Sequence, residues 1–102
     1  MEGRTENKRA YVYILTNRWD NVMYIGSTED LKSRLCQHKK RLIPGFTQKY
    51  NVDKLVYFEE HPSVESAETR EKQLKGKGRT KKNRLVESAN PQWNDLSSKV
   101  MS

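Results

Sequence analysis

The apolar residues of this chain fall into short blocks separated by polar punctuation. Tyr11–Leu15, YVYIL, and Val22–Ile25, VMYI, are aromatic and β-branched, the composition of strands. TNRWDN between them is rich in turn formers, so the two blocks read as a β-hairpin. With a four-residue loop at 17–20, paired residue numbers would sum to 37 and Tyr13 would stand directly opposite Tyr24. Their Cβ atoms would then be about 5 Å apart on one face of the sheet.

After Gly26, STEDL offers Ser27 or Thr28 as an N-cap, with Glu29 and Asp30 in the first turn of a helix. That helix is expected to run to about Leu42, where Pro44 and Gly45 stop it, with Leu31, Leu35 and Leu42 as its apolar stripe. Arg34 and His38 are four positions apart and therefore about 40° apart around the helix, on the border between core and solvent.

Lys54–Glu60, KLVYFEE, predicts a third strand. Pro62 and Ser63 start a second helix that ends at Gly76, with Lys75 in its last turn. The spacing of Val64, Ala67 and Leu74 requires a further apolar residue at 71, and the sequence has Glu71 there. A third helix is expected at 80–88. Trp93 and Leu96 are placed to pin the C-terminal segment to the body, while Pro91 keeps Asn90 out of helical geometry. The expected architecture is α+β, a small three-stranded antiparallel sheet flanked by helices in β-β-α-β-α-α order, spanning 10–96 with flexible tails at 1–9 and 97–102.

Charge adds a partner to this picture. Lys and Arg number 20 against 13 Asp and Glu, a net +7, and the excess is concentrated in blocks. Lys32–Arg41 holds five basic residues and no acidic one, and Lys72–Arg84 holds seven and none. Blocks of this kind suit a polyanion, most often nucleic acid, with a surface of solvated lysines as the plainer alternative. The single cysteine, Cys36, excludes an internal disulfide, and His38 and His61 fit no zinc pattern. Neither a signal-peptide stretch nor an apolar run of about 20 residues is present, so a soluble cytoplasmic protein with no membrane partner is expected.

Two tyrosines on neighbouring strands, an arginine and a histidine on the next helix, a glutamate on a buried helical face and a late Asn-Pro follow in order. Through VYIL, YIGST, DLKSRLCQH, EKQLKG and NPQW, the chain resembles the GIY-YIG nuclease domain, in its compact stand-alone form, over roughly Tyr11–Asp95. The resemblance implies a metal-dependent endonuclease that hydrolyses DNA phosphodiester bonds, in repair, recombination or processing. It implies a site made of Tyr13, Tyr24, Arg34, His38 and Glu71, supported by Gly26 and Asn90. Tyr11 stands where the first half-motif has glycine, and Lys77 where compact relatives often carry tryptophan.

Phosphodiester hydrolysis needs an activated water, a group that stabilises charge on the phosphoryl oxygens, and a Lewis acid near the leaving oxygen. Glu71 is the candidate ligand for one Mg²⁺ or Mn²⁺, since Glu59 and Glu60 are adjacent on a strand and point to opposite faces. Arg34 suits phosphate stabilisation. The family gives the base role to Tyr13, with Tyr24 and His38 positioning water or phosphate. Lys39, Lys40, Arg41, Lys72, Lys75, Lys77, Arg79, Lys81, Lys82 and Arg84 are the candidate phosphate grips.

The expected partner is double-stranded or branched DNA, with room for a protein partner that supplies specificity, and the protein itself a monomer or weak dimer. Each residue also has a plainer reading. The tyrosines could be a packed pair, Arg34 and His38 a solvated face, Glu71 an ion pair with Arg70 or Lys75, and Asn90 a turn residue. The alternative function is a catalytically silent module of the same fold that binds nucleic acid or a partner. A small RNA-binding protein ranks last, because it needs exposed aromatics and only Trp19 looks free.

Overall fold

Alternation of β-branched and aromatic residues builds three strands, and the computed structural model describes residues 9–101. Strand β1, Ala10–Thr16, lies between β2, Met23–Thr28, and β3, Lys54–His61, and is antiparallel to both. Helix α1 spans Leu31–Lys39, α2 Phe46–Lys49, α3 Val64–Lys75, α4 Arg79–Ala89 and α5 Ser97–Met101. The expected fold class is the observed one. Two short helices, α2 and α5, were not foreseen. The second occupies part of the expected C-terminal tail, and Val100 and Met101 pack on the core. Of the expected N-terminal tail, residues 1–8 lie outside the described residues.

As the middle strand, β1 is covered on both faces. Val12 and Ile14 join Ile25, Val56, Ala67, Leu74 and Val86 under α3 and α4. Tyr13 and Leu15 join Leu31, Leu35, Val52 and Leu55 under α1, with Leu96 and α5 sealing the end. Trp93 packs against the first of these clusters, so the C-terminal segment is pinned as expected. Between them, Leu96 N–H donates to the Leu55 carbonyl at 2.7 Å.

The hairpin register differs from the expectation. Thr16 pairs with Met23, leaving a six-residue loop at 17–22, and Tyr13 stands opposite Gly26 instead of Tyr24. The longer loop is stabilised from within. Asn17 Oδ1 accepts from the N–H of Asn21 and of Val22, Thr16 Oγ1 donates to Asp20 at 2.8 Å, and Asp20 takes a left-handed conformation at φ 60°. The shift is an even number of residues, so Tyr13 and Tyr24 keep the same face as diagonal neighbours.

Helix α1 is shorter than expected at both ends. Strand β2 extends through Ser27 and Thr28, and Asp30 is the N-cap, accepting from Ser33 N–H. At the other end Arg41 adopts φ 57°, its N–H donates to the His38 carbonyl, and Leu42 N–H donates to the Gln37 carbonyl. This double closure is a Schellman motif formed without glycine. Leu42, expected in the buried stripe, is therefore outside the helix and 65% exposed.

Strand β3 carries a bulge where its pairing with β1 skips Val56. The Asn90 side-chain amide donates to the Val56 carbonyl at 2.9 Å and to the Asn94 carbonyl, while its oxygen accepts from Asn94 N–H. Asn90 is thus the residue that closes α4 onto the bulge. Among the described residues no helix is long and apolar enough to cross a membrane.

Candidate active site

Tyr13, in the middle of β1, has no exposed surface. Its phenol fits because residue 26 has no side chain: a β-carbon there would lie 2.7 Å from Tyr13 Oη and 2.8 Å from Cζ. Tyr24, two positions before Gly26 on the same face, brings its ring centroid to 6.2 Å from that of Tyr13. The last turn of α1 delivers His38, whose ring lies 5.9 Å from Tyr13 and 5.8 Å from Tyr24. Tyr13 Oη is 3.3 Å from His38 Nε2. Three of the expected residues therefore form one cluster. His38 is more deeply set than its position on the stripe border suggested, at 3% exposure, because the helix ends beside it and folds the chain over it.

The environment sets the protonation states. Burial pushes the Tyr13 hydroxyl well above the ordinary tyrosine range, the neighbouring Tyr24 adds to this, and the Arg34 charge opposes it. Burial lowers His38 below its usual 6.5, Arg34 lowers it further, and Asp53 acts the other way. A phenol that holds its proton faces an imidazole that stays neutral. His38 Nδ1 is buried with no hydrogen-bond partner among the described residues. With the proton on Nδ1, Nε2 is free to accept the Tyr13 O–H.

Arg34 is half-buried on α1, one turn before His38, and its charge acts on both Tyr13 and His38. Together with Ser27 and Thr28 it lines a small cavity that reaches across the end of β2 to Ala67 and Glu68 on α3.

Glu71 approaches β2 from α3. Its Oε1 accepts from Ser27 Oγ at 2.6 Å, and its Oε2 is 2.6 Å from Lys75 Nζ. The apolar spacing of α3 is broken at 71 because this position faces the polar edge of β2, where Ser27 is the partner. Burial raises the Glu71 pKa, but hydrogen bonds from Lys75 and Ser27 and the charges of Lys75 and Lys72 outweigh it, so the carboxyl is held below its ordinary value. Ser27 is the neighbour of Gly26, so the carboxylate is anchored one residue from the strand position that houses the Tyr13 phenol. The tyrosine and histidine cluster lies on one face of β2 and the glutamate is bound from the other.

A single ionised carboxylate is a donor that Mg²⁺ or Mn²⁺ accepts when phosphate and water supply its other ligands. Among the described residues, no group of three or more His, Cys, Asp or Glu is placed to hold a metal ion by itself. Glu71 would be the protein ligand, and Lys75 would have to yield its place. Glu59 is committed elsewhere, to Arg70 Nε at 2.8 Å, His61 Nε2 at 2.7 Å and the Tyr57 hydroxyl.

The candidate phosphate grips fall into three groups, with Arg79 shared by the first two. Lys39 is paired with Asp95 at 2.7 Å, Arg41 with Asp53 at 3.6 Å, and Arg79 with the Asp20 and Asn21 carbonyls of the hairpin loop. These cations tie segments together. Lys40, Lys72, Lys77, Lys81 and Arg84 are exposed, and Lys72, Lys77, Arg79 and Lys81 line an open cleft at the corner between α3 and α4. Lys82 is half-buried and, with Lys75, faces Tyr24 across a groove. Asn90, expected as a support of the site, spends its side chain on the β3 bulge, as described above.

The sequence matches the GIY-YIG catalytic domain over residues 9–84. The chain belongs to the GIY-YIG family. That is a family of nucleases acting on DNA. A UPF0213 protein of Streptococcus sanguinis is 38% identical over 77 residues, covering 76% of this chain and 86% of the relative. One from Streptococcus pneumoniae is 36% identical over 89 residues, covering 87% and 88%. The solution NMR structure of a UPF0213 protein from Bacillus halodurans superimposes with a TM-score of 0.56 at 26% identity, covering 92% of this chain and 99% of that one.

Sequence reasoning named Ser27 only as a helix cap and missed its hold on Glu71. It also missed Phe46, at the start of α2, and Tyr50, just after its end, which lie exposed with ring centroids 4.9 Å apart. Their i, i+4 spacing in PGFTQKY was the available signal.

Proposed function

We propose that this GIY-YIG protein is a DNA endonuclease that hydrolyses phosphodiester bonds with one divalent cation, Mg²⁺ or Mn²⁺. The supporting observation is the meeting of two chemistries at β2: a cluster of buried Tyr13 and His38 with half-buried Tyr24, acted on by the Arg34 charge, on one face, and an ionised Glu71 held by Ser27 on the other.

Arg34, whose planar guanidinium fork can hold two oxygens at once, stabilises negative charge on the phosphoryl oxygens. Tyr13 keeps its proton and is sealed from solvent in the resting protein; once substrate opens the cluster it acts as a relay, taking a proton from the attacking water as it passes its own to His38 Nε2, 3.3 Å away. The neutral His38 is the final acceptor. Tyr24 shares the surface on which water and phosphate are positioned. Glu71 would hold the cation, which when bound would supply Lewis-acid stabilisation of the departing oxygen. Exposed Lys40, Lys72, Lys77, Lys81 and Arg84 grip the DNA backbone without reading sequence.

The test is nicking of supercoiled plasmid and cleavage of a branched DNA with Mg²⁺, with Mn²⁺ and with chelator. Cation-dependent cleavage is expected, reduced at least a hundredfold, on the order of an oxyanion-type contribution, in Arg34→Ala and in Glu71→Ala. Salt-sensitive DNA binding with no cleavage of either substrate would overturn the proposal in favour of a binding module.

A further inference from the structure

Helix α2 and the residue that follows it turn their aromatic side chains outward. Of its four residues, Phe46–Lys49, the buried one is Thr47, while Phe46 is 48% exposed and the adjoining Tyr50 43%. The rings are tilted by 50° at a centroid distance of 4.9 Å, and Lys49 Nζ lies 5.4 Å from the Tyr50 centroid, so Tyr50 is backed by Phe46 and a cation. Phe46 forms one wall of a groove of about 330 Å³ whose other walls are Met23, Tyr24 and Ile25 of β2 with Lys75 and Lys82. The groove thus joins the tyrosine side of the site to the lysine that holds Glu71.

We infer that this groove receives an unpaired nucleobase stacked on Phe46, which makes the substrate class DNA with unpaired nucleotides beside the scissile phosphate: flaps, forks or single strands. The inference rests on the reading of this face as a DNA-cleaving site and deepens it. Every base offers a π-face that stacks on an aromatic ring, worth roughly tenfold in affinity per base, but inside a duplex both faces are already covered. An exposed phenylalanine flanked by lysines gains little from intact duplex, whose backbone the lysines alone can hold. With an unpaired strand both features act together, the cations on phosphates and the ring on a base. Charge also argues against a second copy of the chain as the occupant, because Lys75 and Lys82 line the groove with Phe46, Lys49 lies over the adjoining Tyr50 ring, and each copy carries +7.

The experiment measures binding in chelator, so that no turnover is required, to an intact duplex and to a flap DNA carrying 2-aminopurine at the unpaired position next to the branch. Wild type is expected to prefer the flap and to quench 2-aminopurine by stacking. Phe46→Leu keeps the apolar volume and removes the flat ring. It is expected to lose about tenfold in flap affinity, with the quench gone and duplex affinity within about twofold of wild type. Phe46→Ala should behave alike with an unchanged thermal melt, since the ring is half in solvent.

Equal losses on flap and duplex, or unchanged quenching in Phe46→Leu, would overturn the inference. So would sedimentation showing that wild type is a dimer which Phe46→Leu dissociates, since the patch would then be a self-interface. Absence of cation-dependent cleavage in a parallel assay would sink the nuclease reading alone, and wild type that nicks plasmid but shows no preference for the flap over the duplex would sink the stacking groove alone.

Discussion

Tyr13 and Gly26 are direct partners across β1 and β2, and the Tyr13 phenol fills the space that a side chain at 26 would take. The glycine is required by volume, because the nearest atoms are the hydroxyl and ring carbon of a residue with no room to retreat. Gly26→Ala is therefore expected to displace Tyr13 from His38, costing about 1–3 kcal/mol of stability as overpacking does. It should reduce cleavage strongly while leaving backbone-driven DNA binding intact. Chemical denaturation, binding and nicking assays on the one variant check this, and full activity in Gly26→Ala would show that the phenol position does not matter.

His38 predicts the pH profile. Its folded pKa is lowered from the ordinary 6.5 by burial and by Arg34, so the neutral form persists to more acidic pH than a free imidazole would allow. Cleavage should be independent of this group at neutral pH and fall only below about 6.5, with the acid limb absent in His38→Gln at a lower plateau. The same shift acts on folding. A group with a lowered folded pKa contributes fully above its unfolded pKa, and stability is lost as pH falls toward the folded one. An acid limb centred above 6.5 would contradict the relay assigned to this imidazole.

Much of this site was legible in the sequence because local rules and motif spacing agree there: two strand blocks, a capped helix with Arg34 and His38 one turn apart, and Glu71 breaking an apolar period. The register was not legible. It depends on the side chains of Asn17 and Asp20 holding a six-residue loop that propensity alone would shorten. The end of α1 escaped for a related reason, since Arg41 takes a left-handed conformation without being glycine. The late Asn-Pro places Asn90 beside the site only through the family resemblance. Its partner is a β3 bulge, which arises from tertiary pairing and leaves no periodic trace.

That bulge gives a stability prediction separate from catalysis. Asn90 is 5% exposed, and truncating it leaves the Val56 and Asn94 carbonyls without their donor. Asn90→Ala should cost about 2–3 kcal/mol, since buried polar groups left unpaired carry their desolvation penalty. At a temperature where the variant remains folded, cleavage per folded molecule should match wild type. A loss of turnover larger than the loss of folded protein would return Asn90 to the site.

Glu71 and Lys75 give the sharpest test of the cation site. The carboxylate is held ionised against burial by Lys75 and Ser27, and Lys75 occupies the oxygen that a divalent cation would need. Ammonium and metal therefore compete. Removing the positive charge in Lys75→Gln should strengthen Mn²⁺ binding, whereas Glu71→Gln should abolish it. In protein NMR spectra, Mn²⁺ is expected to broaden the amide signals of Ser27 and of residues near Glu71 first, at lower Mn²⁺ concentration in Lys75→Gln than in wild type. Lys75→Gln should also raise the Glu71 pKa, since its largest lowering contribution is gone, and so shift the acid loss of metal binding to higher pH. Broadening centred on other carboxylates, such as Glu59 or Asp95, would place the cation elsewhere and remove Glu71 from the role of ligand.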